Sequence, residues 1–178
     1  IDNDIIGLFE SSSLAWNHGL AMNNNGNIIA VGSTTYWGSE GWMDGYDGEG
    51  YVQVYENINE SWVQLGQDIY GLSNSDESGI VDLNGDGTML VVGSAGGNYA
   101  RVFQYTGSNW NQIGENLTSE TSARVVSISN DGYTVAIGSP GDGNSGLVYL
   151  YNWDGDSWVL MGDPIEESTN QYSASNVS

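Results

Sequence analysis

The sequence predicts an all-β protein built from three copies of a four-stranded antiparallel unit. A tryptophan followed four residues later by glycine recurs at intervals of 48 residues, at Trp62, Trp110 and Trp158. A glycine–serine pair ends an apolar run once in each unit, at residues 32–33, 93–94 and 138–139. Periods of about 40 to 50 residues are typical of β-propeller blades. The predicted fold is therefore a β-propeller of four-stranded antiparallel blades, with three complete repeats and partial strands at each end.

Each unit contains four predicted strands, here denoted A to D. Strand A alternates in hydrophobicity and ends before a glycine-containing turn, and it covers residues 20–22, 81–83 and 126–128. Strand B is apolar on both faces, over residues 28–31, 89–92 and 135–137. Because such a strand must be covered on both sides, we expect it between stacked sheets. Strand C ends at Tyr55, Tyr105 and Tyr151, and the more polar strand D, which starts at the tryptophans, is expected at the outer edge.

The repeats are predicted to cover approximately residues 8–71, 72–120 and 121–168 of one propeller segment that spans 1–178. Residues 1–7 resemble the end of an earlier strand D, and residues 169–178 resemble the start of a further strand A. Three blades seldom close a ring. We therefore expect the missing strands to come from flanking repeats of a longer chain or from self-association with neighbouring copies.

The composition is strongly acidic, with 2 Lys+Arg against 23 Asp+Glu and a formal net charge of −21. Such a surface repels phosphate groups, so we expect no nucleic acid partner. No apolar run approaches the ~20 residues that cross a bilayer, so we expect no membrane insertion. The sequence has no cysteine, which excludes disulfides and thiolate metal sites. Both basic residues, Arg101 and Arg124, are expected to pair with nearby carboxylates.

Residues 138–151 combine a glycine–serine–proline step, an acidic glycine loop and an aromatic strand. This stretch resembles the FG-GAP-type repeat of integrin-α-like propellers, and the resemblance extends over all three repeats, although only the third carries the proline, Pro140. The resemblance implies a seven-bladed propeller used outside the cell for adhesion or surface recognition, often with calcium in its loops. The predicted function is an extracellular, non-catalytic adhesion, scaffold or surface-structure module, in a fibre or larger surface protein, with a protein or glycan at the cell surface as partner.

A candidate calcium loop lies between strands A and B of the second repeat. Asp82, Asn84 and Asp86 place oxygen ligands on alternate residues before Gly87, which fits the start of a calcium-binding loop. The later acidic ligand is missing, and the alternative is a β-turn rich in residues that tolerate a left-handed backbone. Calcium is the one cofactor that the sequence suggests.

The loop at residues 34–50 is much longer in the first repeat than in the others. Its aromatic and acidic side chains form a candidate ligand-binding set, Trp37, Trp42, Asp44, Tyr46, Asp47 and Glu49. Aromatic faces beside carboxylates suit sugars or a contact braced by a cation, so a lectin-like, carbohydrate-binding propeller is the alternative function. The other interpretation is an insertion that buries its own aromatic rings over the edge of the blade.

Of three glycosylation sequons, two begin at Asn59 and Asn116 on the polar outer side of the repeats, and the third, at Asn176, is discounted because its repeat position lies within strand A. If used, they indicate a secreted glycoprotein, although an asparagine-rich chain also produces sequons by chance. We predict no catalytic residue and no enzymatic activity. His18 is the single histidine, and the sequence contains no nucleophile-elbow motif.

Overall fold

Fifteen short strands form three antiparallel sheets in the part of the chain that the computed structural model describes, residues 18–34, 48–120, 122–140 and 146–167. The first sheet contains β1 (Leu20–Met22), β2 (Ile28–Ser33), β3 (Tyr51–Ile58), β4 (Ser61–Gln64) and β5 (Ile69–Tyr70). The second contains β6 (Ser78–Leu83), β7 (Met89–Ser94), β8 (Tyr99–Tyr105), β9 (Trp110–Gln112) and β10 (Leu117–Thr118). The third contains β11 (Val125–Ile128), β12 (Thr134–Ser139), β13 (Gly146–Trp153), β14 (Trp158–Leu160) and β15 (Ile165–Glu167).

The three sheets share one topology and are denoted the first, second and third blade. In each, strands A, B and C are hydrogen-bonded in chain order, and strand D follows at the outer edge. Strand D is split into two short pieces that both pair with strand C. The predicted all-β fold of four-stranded antiparallel blades is therefore confirmed.

A glycine interrupts strand D at the same place in every blade. Gly66, Gly114 and Gly162 have φ angles of 82°, 68° and 76°, a left-handed backbone that an ordinary side chain rarely adopts. The split of strand D was not predicted from the sequence.

Two apolar clusters join the blades face to face. The first combines strands B and C of the first blade, including Val52 and Val54, with Leu83 and Leu90 of the second blade. The second cluster repeats this arrangement between the second and third blades. The core thus lies between the sheets, which explains why strand B is apolar on both faces.

The glycine–serine pair at the end of strand B permits close approach of the blades. A Cβ atom on Gly32 would lie 1.9 Å from the carbonyl oxygen of Gly79 in the next blade. A side chain at position 32 would force the two backbones apart. The pair belongs to strand B itself, so β2, β7 and β12 extend through the serine, beyond their predicted ends.

The three turns between strands A and B lie side by side. The amide of Asn24 donates to the carbonyl of Gly85 at 3.1 Å, and the amide of Gly85 donates to the carbonyl of Asn130 at 3.0 Å. The Asn24 side chain also donates to that of Asn130, which joins the first blade to the third. The blades therefore curve around a common axis near Gly85.

One sequence alignment needs correction in the second blade. Tyr55 pairs with Gln64 and Tyr151 pairs with Leu160, whereas the residue in the same position of the second blade is Phe103, which pairs with Gln112. Tyr105 lies two residues further along the strand. Because side chains on a strand alternate with a period of two, this shift preserves the buried face and was invisible in the apolar pattern.

Candidate functional site

The blades have two distinct ends. The turn end carries the short A–B and C–D turns, and the loop end carries the B–C and D–A connections. The B–C connection has seventeen residues in the first blade, residues 34–50, against four in the second and six in the third. The long loop is therefore confined to one end of one blade.

The described part of this loop is its base, residues 48–50. Trp37, Trp42, Asp44, Tyr46 and Asp47 lie outside the described residues. Glu49, the remaining member of the predicted ligand-binding set, is half-buried at the base. The proposed use of these six residues stays a prediction.

Backbone hydrogen bonds fasten the base to the connection between the first and second blades. The amides of Glu77 and Ser78 donate to the carbonyls of Gly48 and Glu49 at 3.2 and 3.1 Å. The amide of Gly71 donates to the carbonyl of Gly50 at 3.1 Å. The long loop therefore emerges from a fixed position between two blades.

A buried carboxylate, Asp76, organises that connection. It accepts hydrogen bonds from the amides of Leu72 and Ser73 at 2.7 and 2.9 Å, from the Ser73 hydroxyl at 2.9 Å, and from the Tyr99 hydroxyl at 2.5 Å. Burial alone would raise the pKa of Asp76, but the hydrogen bonds from Tyr99, Ser73 and Leu72 outweigh it and lower the pKa below the ordinary value. Asp76 is therefore ionised at neutral pH, and its carboxylate accepts the backbone amides of Leu72 and Ser73.

The backbone of Asp76 extends the network to the B–C connection of the second blade. Its carbonyl accepts hydrogen bonds from the Ser94 hydroxyl at 2.5 Å and from the amide of Gly96 at 3.0 Å. Connections from both blades thus meet at one residue.

Arg101 lies beside this network and is 5% exposed. Its Nη2 atom donates to the carbonyl of Tyr70 at 2.5 Å, and its guanidinium lies over the rings of Tyr99 and Phe103, 5.7 and 5.1 Å from their centroids. Burial lowers the pKa of Arg101, although Tyr99 and Asp76 oppose the shift. Within the described residues, Arg101 donates a hydrogen bond to a carbonyl and lies over two rings, and the Asp76 carboxylate acts on it through its charge.

Asp76, Tyr99 and Arg101, here named the loop-end cluster, were missed as a group by sequence reasoning. Asp76 lies in an ordinary polar stretch, and Tyr99 belongs to an apolar strand. One feature of the sequence could have revealed this cluster. Arg101 is a charged residue within an apolar strand, and such residues are seldom buried without partners.

The three residues of the candidate calcium loop make hydrogen bonds to different parts of the protein. Asp82 accepts hydrogen bonds from the Ile128 amide at 2.8 Å and the Ser127 hydroxyl at 3.1 Å, both in the third blade. Burial raises the pKa of Asp82, while these hydrogen bonds oppose the rise. Asp82 therefore connects two blades.

Asn84 and Asp86 stabilise the turn itself. The Asn84 side-chain oxygen accepts the amide of Met89 at 2.8 Å, and Asp86 accepts the amide and hydroxyl of Thr88 at 2.9 and 2.6 Å. The bonds from Thr88 lower the pKa of Asp86. The described residues contain no group of three or more His, Cys, Asp or Glu arranged for a metal ion. Calcium binding stays a prediction.

The same turn recurs without the acidic pattern. In the first blade, Asn23 accepts the amide of Ile28 at 3.0 Å, and in the third blade the Ser129 hydroxyl accepts the amide of Thr134 at 2.9 Å. An asparagine or serine at this position is therefore a structural requirement of the turn. This requirement accounts for Asn84 without a metal.

The first sequon lies in the turn between strands C and D of the first blade, and the second lies between the two pieces of strand D in the second blade. Asn59 is exposed in a two-residue turn with Glu60, and both have positive φ angles, 53° and 67°. Asn116 is half-buried, and its side-chain oxygen accepts a hydrogen bond from Gln112 at 3.0 Å. Glycosylation and secretion stay predictions. In the described ranges, no helix is long and apolar enough to cross a membrane.

Comparison with solved structures identifies the class of protein as a β-propeller. The chain is similar to Sqt1 from Chaetomium thermophilum, with a TM-score of 0.60, 19% identity, and coverage of 97% of this chain and 41% of the other. It is similar to a putative 6-phosphogluconolactonase from Bacteroides fragilis, with a TM-score of 0.60, 12% identity, and coverage of 97% and 49%. The β-propeller domain of the Trilobed protease from Pyrococcus furiosus, described as having an open velcro topology, matches with a TM-score of 0.53, 8% identity, and coverage of 92% and 45%.

These likenesses show the fold alone, because the identities are low. The chain spans less than half the length of the three structures. No protein-family model matches it. No curated protein matches it either.

The predicted extracellular adhesion, scaffold or surface-structure function is wrong. The matched structures include Sqt1 and 6-phosphogluconolactonase-like proteins, and not extracellular adhesion modules. The lectin-like alternative, which was predicted from the loop at residues 34–50, gains no support from these structures and is withdrawn as well. The physical reason is that propeller geometry serves many functions, so a repeat pattern that identifies the fold does not identify the ligand.

Proposed function

We propose that this chain is a non-catalytic propeller segment that binds a positively charged protein or peptide at the loop end of its first two blades. The observation that carries this proposal is the seventeen-residue B–C connection of the first blade, whose base at residues 48–50 is hydrogen-bonded beside the loop-end cluster. Loops of more than about 12–15 residues in compact domains are usually functional. Binding residues are often carried by loops that a rigid scaffold positions.

The negative net charge of the chain favours a positively charged partner. The formal net charge is −21, and of the two arginines Arg101 is buried while Arg124 is exposed. A surface of this kind attracts cationic partners and accelerates their association, and it repels acidic ones. Glu49 and Glu77 contribute two half-buried carboxylates at the base of the loop.

The composition of the loop agrees with the same partner. Trp37, Trp42 and Tyr46 offer aromatic faces, on which lysine and arginine side chains bind by cation–π contacts. Asp44 and Asp47 offer carboxylates that accept hydrogen bonds from arginine. We propose these residues, together with Glu49, as the ligand-binding set.

The state of Asp76 supports a non-catalytic role. Its carboxylate already accepts four hydrogen bonds from protein groups, and its pKa is lowered. A general acid or base needs a pKa near the working pH and a free position toward the substrate. Asp76 meets neither condition.

The resemblance to FG-GAP-type repeats is retained as a proposal about the type of repeat. The support for this proposal is the sequence Gly138–Ser139–Pro140, in which the first two residues end β12 and the proline follows the strand. It carries no inference about adhesion or calcium.

The binding proposal is tested by titrating the chain with a lysine- and arginine-rich peptide and with a glutamate-rich peptide of equal length, by isothermal calorimetry at low and high salt. We expect binding of the basic peptide alone, weakening as salt rises because the interaction is electrostatic. The double variant Glu49→Gln with Glu77→Gln is expected to weaken binding about fivefold, which corresponds to about 1 kcal/mol.

The matched control is Glu56→Gln with Glu60→Gln, which removes two charges from the turn end of the same blade. We expect a change of less than about twofold, since these residues are far from the loop. Equal losses in both double variants would show diffuse charge attraction, and would reject the loop end as the site.

A further inference from the structure

We propose that two copies of this chain close into one six-bladed ring, in which the first blade of each copy docks on the third blade of the other. The docking surface of the first blade is named the front surface and contains Leu20, Met22, Ile29, Tyr55 and Trp62. The docking surface of the third blade is named the back surface and contains Ala136, Val148, Leu150, Gly162 and Ile165. This proposal does not depend on the proposed function, because it concerns different surfaces.

The same contact is already built twice inside the chain. The indole N–H of Trp110 in the second blade donates to the carbonyl of Leu65 in the first blade at 2.7 Å. The indole N–H of Trp158 in the third blade donates to the carbonyl of Ile113 in the second blade at 3.1 Å. Each tryptophan thus fastens its own strand D to strand D of the preceding blade.

The glycine that splits strand D receives the indole ring. A Cβ atom on Gly66 would lie 2.8 Å from Cδ1 of Trp110, and one on Gly114 would lie 2.6 Å from Cδ1 of Trp158. Gly162 has the same left-handed backbone, but no atom lies within 4 Å of its Cβ position. The third blade therefore has the glycine conformation that accommodates an indole ring, and the space beside this glycine is open.

Trp62 is the tryptophan that matches this open position. It pairs with Asn57 as Trp110 pairs with Tyr105, so it occupies the same place in its blade. It is half-buried, and its indole N–H has no hydrogen-bond partner among the residues that the structure describes. Within the described residues, the first blade thus has an indole donor without an acceptor, and the third blade has open space beside Gly162.

The apolar residues around these two positions show the same asymmetry. Leu20 and Met22 are 59% and 62% exposed on the front surface, whereas Val81 and Leu83, at the same positions of the second blade, are buried against the first blade. Ile165 is 60% exposed on the back surface, whereas Ile69 in the first blade is buried. A front surface placed on a back surface would bury these side chains as the two internal contacts do.

Two copies are the stoichiometry that satisfies both surfaces. Each copy has one front and one back surface, so a pair related by a two-fold axis makes two equal contacts and leaves none open. Six blades lie within the usual range of about four to eight for propellers. The contacts among Asn24, Gly85 and Asn130 show that the three blades already curve around one axis.

Charge opposes this association at low salt. Each copy has a formal net charge of −21, so two copies repel each other over distances that salt screens. The buried contact is apolar and is much less sensitive to screening. Association is therefore expected to strengthen as salt concentration rises, opposite to the expected effect of salt on binding of a basic peptide.

The test is sedimentation velocity of the chain over a range of protein concentrations, at low and high sodium chloride. We expect a species of twice the 19.1 kDa mass of one chain, favoured by high salt. A single 19.1 kDa species at the highest concentration and high salt would reject the proposal. Open-ended assemblies larger than two copies would reject the closed ring.

Variants on each surface make the test specific. Trp62→Ala and Ile165→Asp, each made separately, are expected to weaken association at least about tenfold, because they remove the donor or place a charge in the contact. Val63→Asp is the matched control, since Val63 is also apolar and exposed but lies on neither surface. Circular dichroism at low concentration checks that all three variants fold. Association that is unchanged in both surface variants, or equally weakened in Val63→Asp, would overturn the assignment.

Discussion

Trp110→Ala is expected to lower the free energy of unfolding by about 3–5 kcal/mol, the usual cost of removing a fully buried tryptophan. Trp110 is 2% exposed, packs against Tyr105 and Gly66, and donates its indole N–H to the carbonyl of Leu65. The substitution creates a cavity between two blades and leaves that carbonyl without its donor. Both effects act on the same contact, so the loss should be among the largest for any single substitution.

Urea unfolding followed by tryptophan fluorescence and circular dichroism measures this loss. The matched control is Trp62→Ala at low protein concentration, which removes the same residue type from the equivalent position of the first blade. Trp62 is half-buried and lacks the indole hydrogen bond within the described residues, so we expect a loss of about 1–2 kcal/mol. Equal losses in the two variants would contradict the role assigned to the contact between blades.

Asp76→Ala is expected to lower the free energy of unfolding by about 3 kcal/mol at neutral pH. The substitution removes the acceptor for the amides of Leu72 and Ser73 and for the hydroxyl of Tyr99. A buried donor left without a partner, here the Tyr99 hydroxyl, costs about 1–3 kcal/mol, whereas the partly buried amides of Leu72 and Ser73 recover part of their loss by bonding to water. Because Asp76 joins connections of both blades, we also expect faster hydrogen exchange at the loop end.

The effect of Asp76 should depend on pH in a defined direction. Its pKa is lowered in the folded protein, so its stabilising contribution is complete above the ordinary aspartate pKa of about 4 and is lost as the pH falls through the folded pKa. The difference in unfolding free energy between the wild type and Asp76→Asn should therefore be largest near pH 7 and shrink below about pH 4. A difference that stays constant from pH 7 to pH 3 would show that Asp76 acts without its charge. Asp156→Asn, in an exposed turn, is the control and should change little at any pH.

Local patterns in the sequence were sufficient to predict the blades. The apolar runs at residues 28–31 and 89–92 predicted a buried strand B, because a strand that is apolar on both faces must lie between sheets. The glycine after each tryptophan was recognised as a repeat marker, but its function was not. Gly66 splits strand D because it receives Trp110 from the next blade, and a contact over 44 residues leaves no trace in a local pattern.

The proposed binding site was only partly predictable for a related reason. The length of the loop at residues 34–50 and the presence of Glu49 were visible in the sequence. The role of the Asp76 carboxylate near the base of the loop was not visible, because its partners include Tyr99, 23 residues away. The calcium pattern at Asp82 stays a prediction, and part of it has a structural explanation, because the turn needs an acceptor such as Asn84 for the amide of Met89.

The placement of the two arginines also determines how a protease would meet this protein. Trypsin cleaves after lysine and arginine, and the 178 residues contain two such positions in all, Arg101 and Arg124. Arg101 is buried in β8, whereas Arg124 is exposed immediately before β11 at the junction of the second and third blades. Its amide is bonded to the carbonyl of Gly138 at 3.2 Å, so cleavage requires the edge of the third blade to open. Digestion of the folded chain should therefore yield one dominant cut, and its rate measures how often the third blade separates from the second.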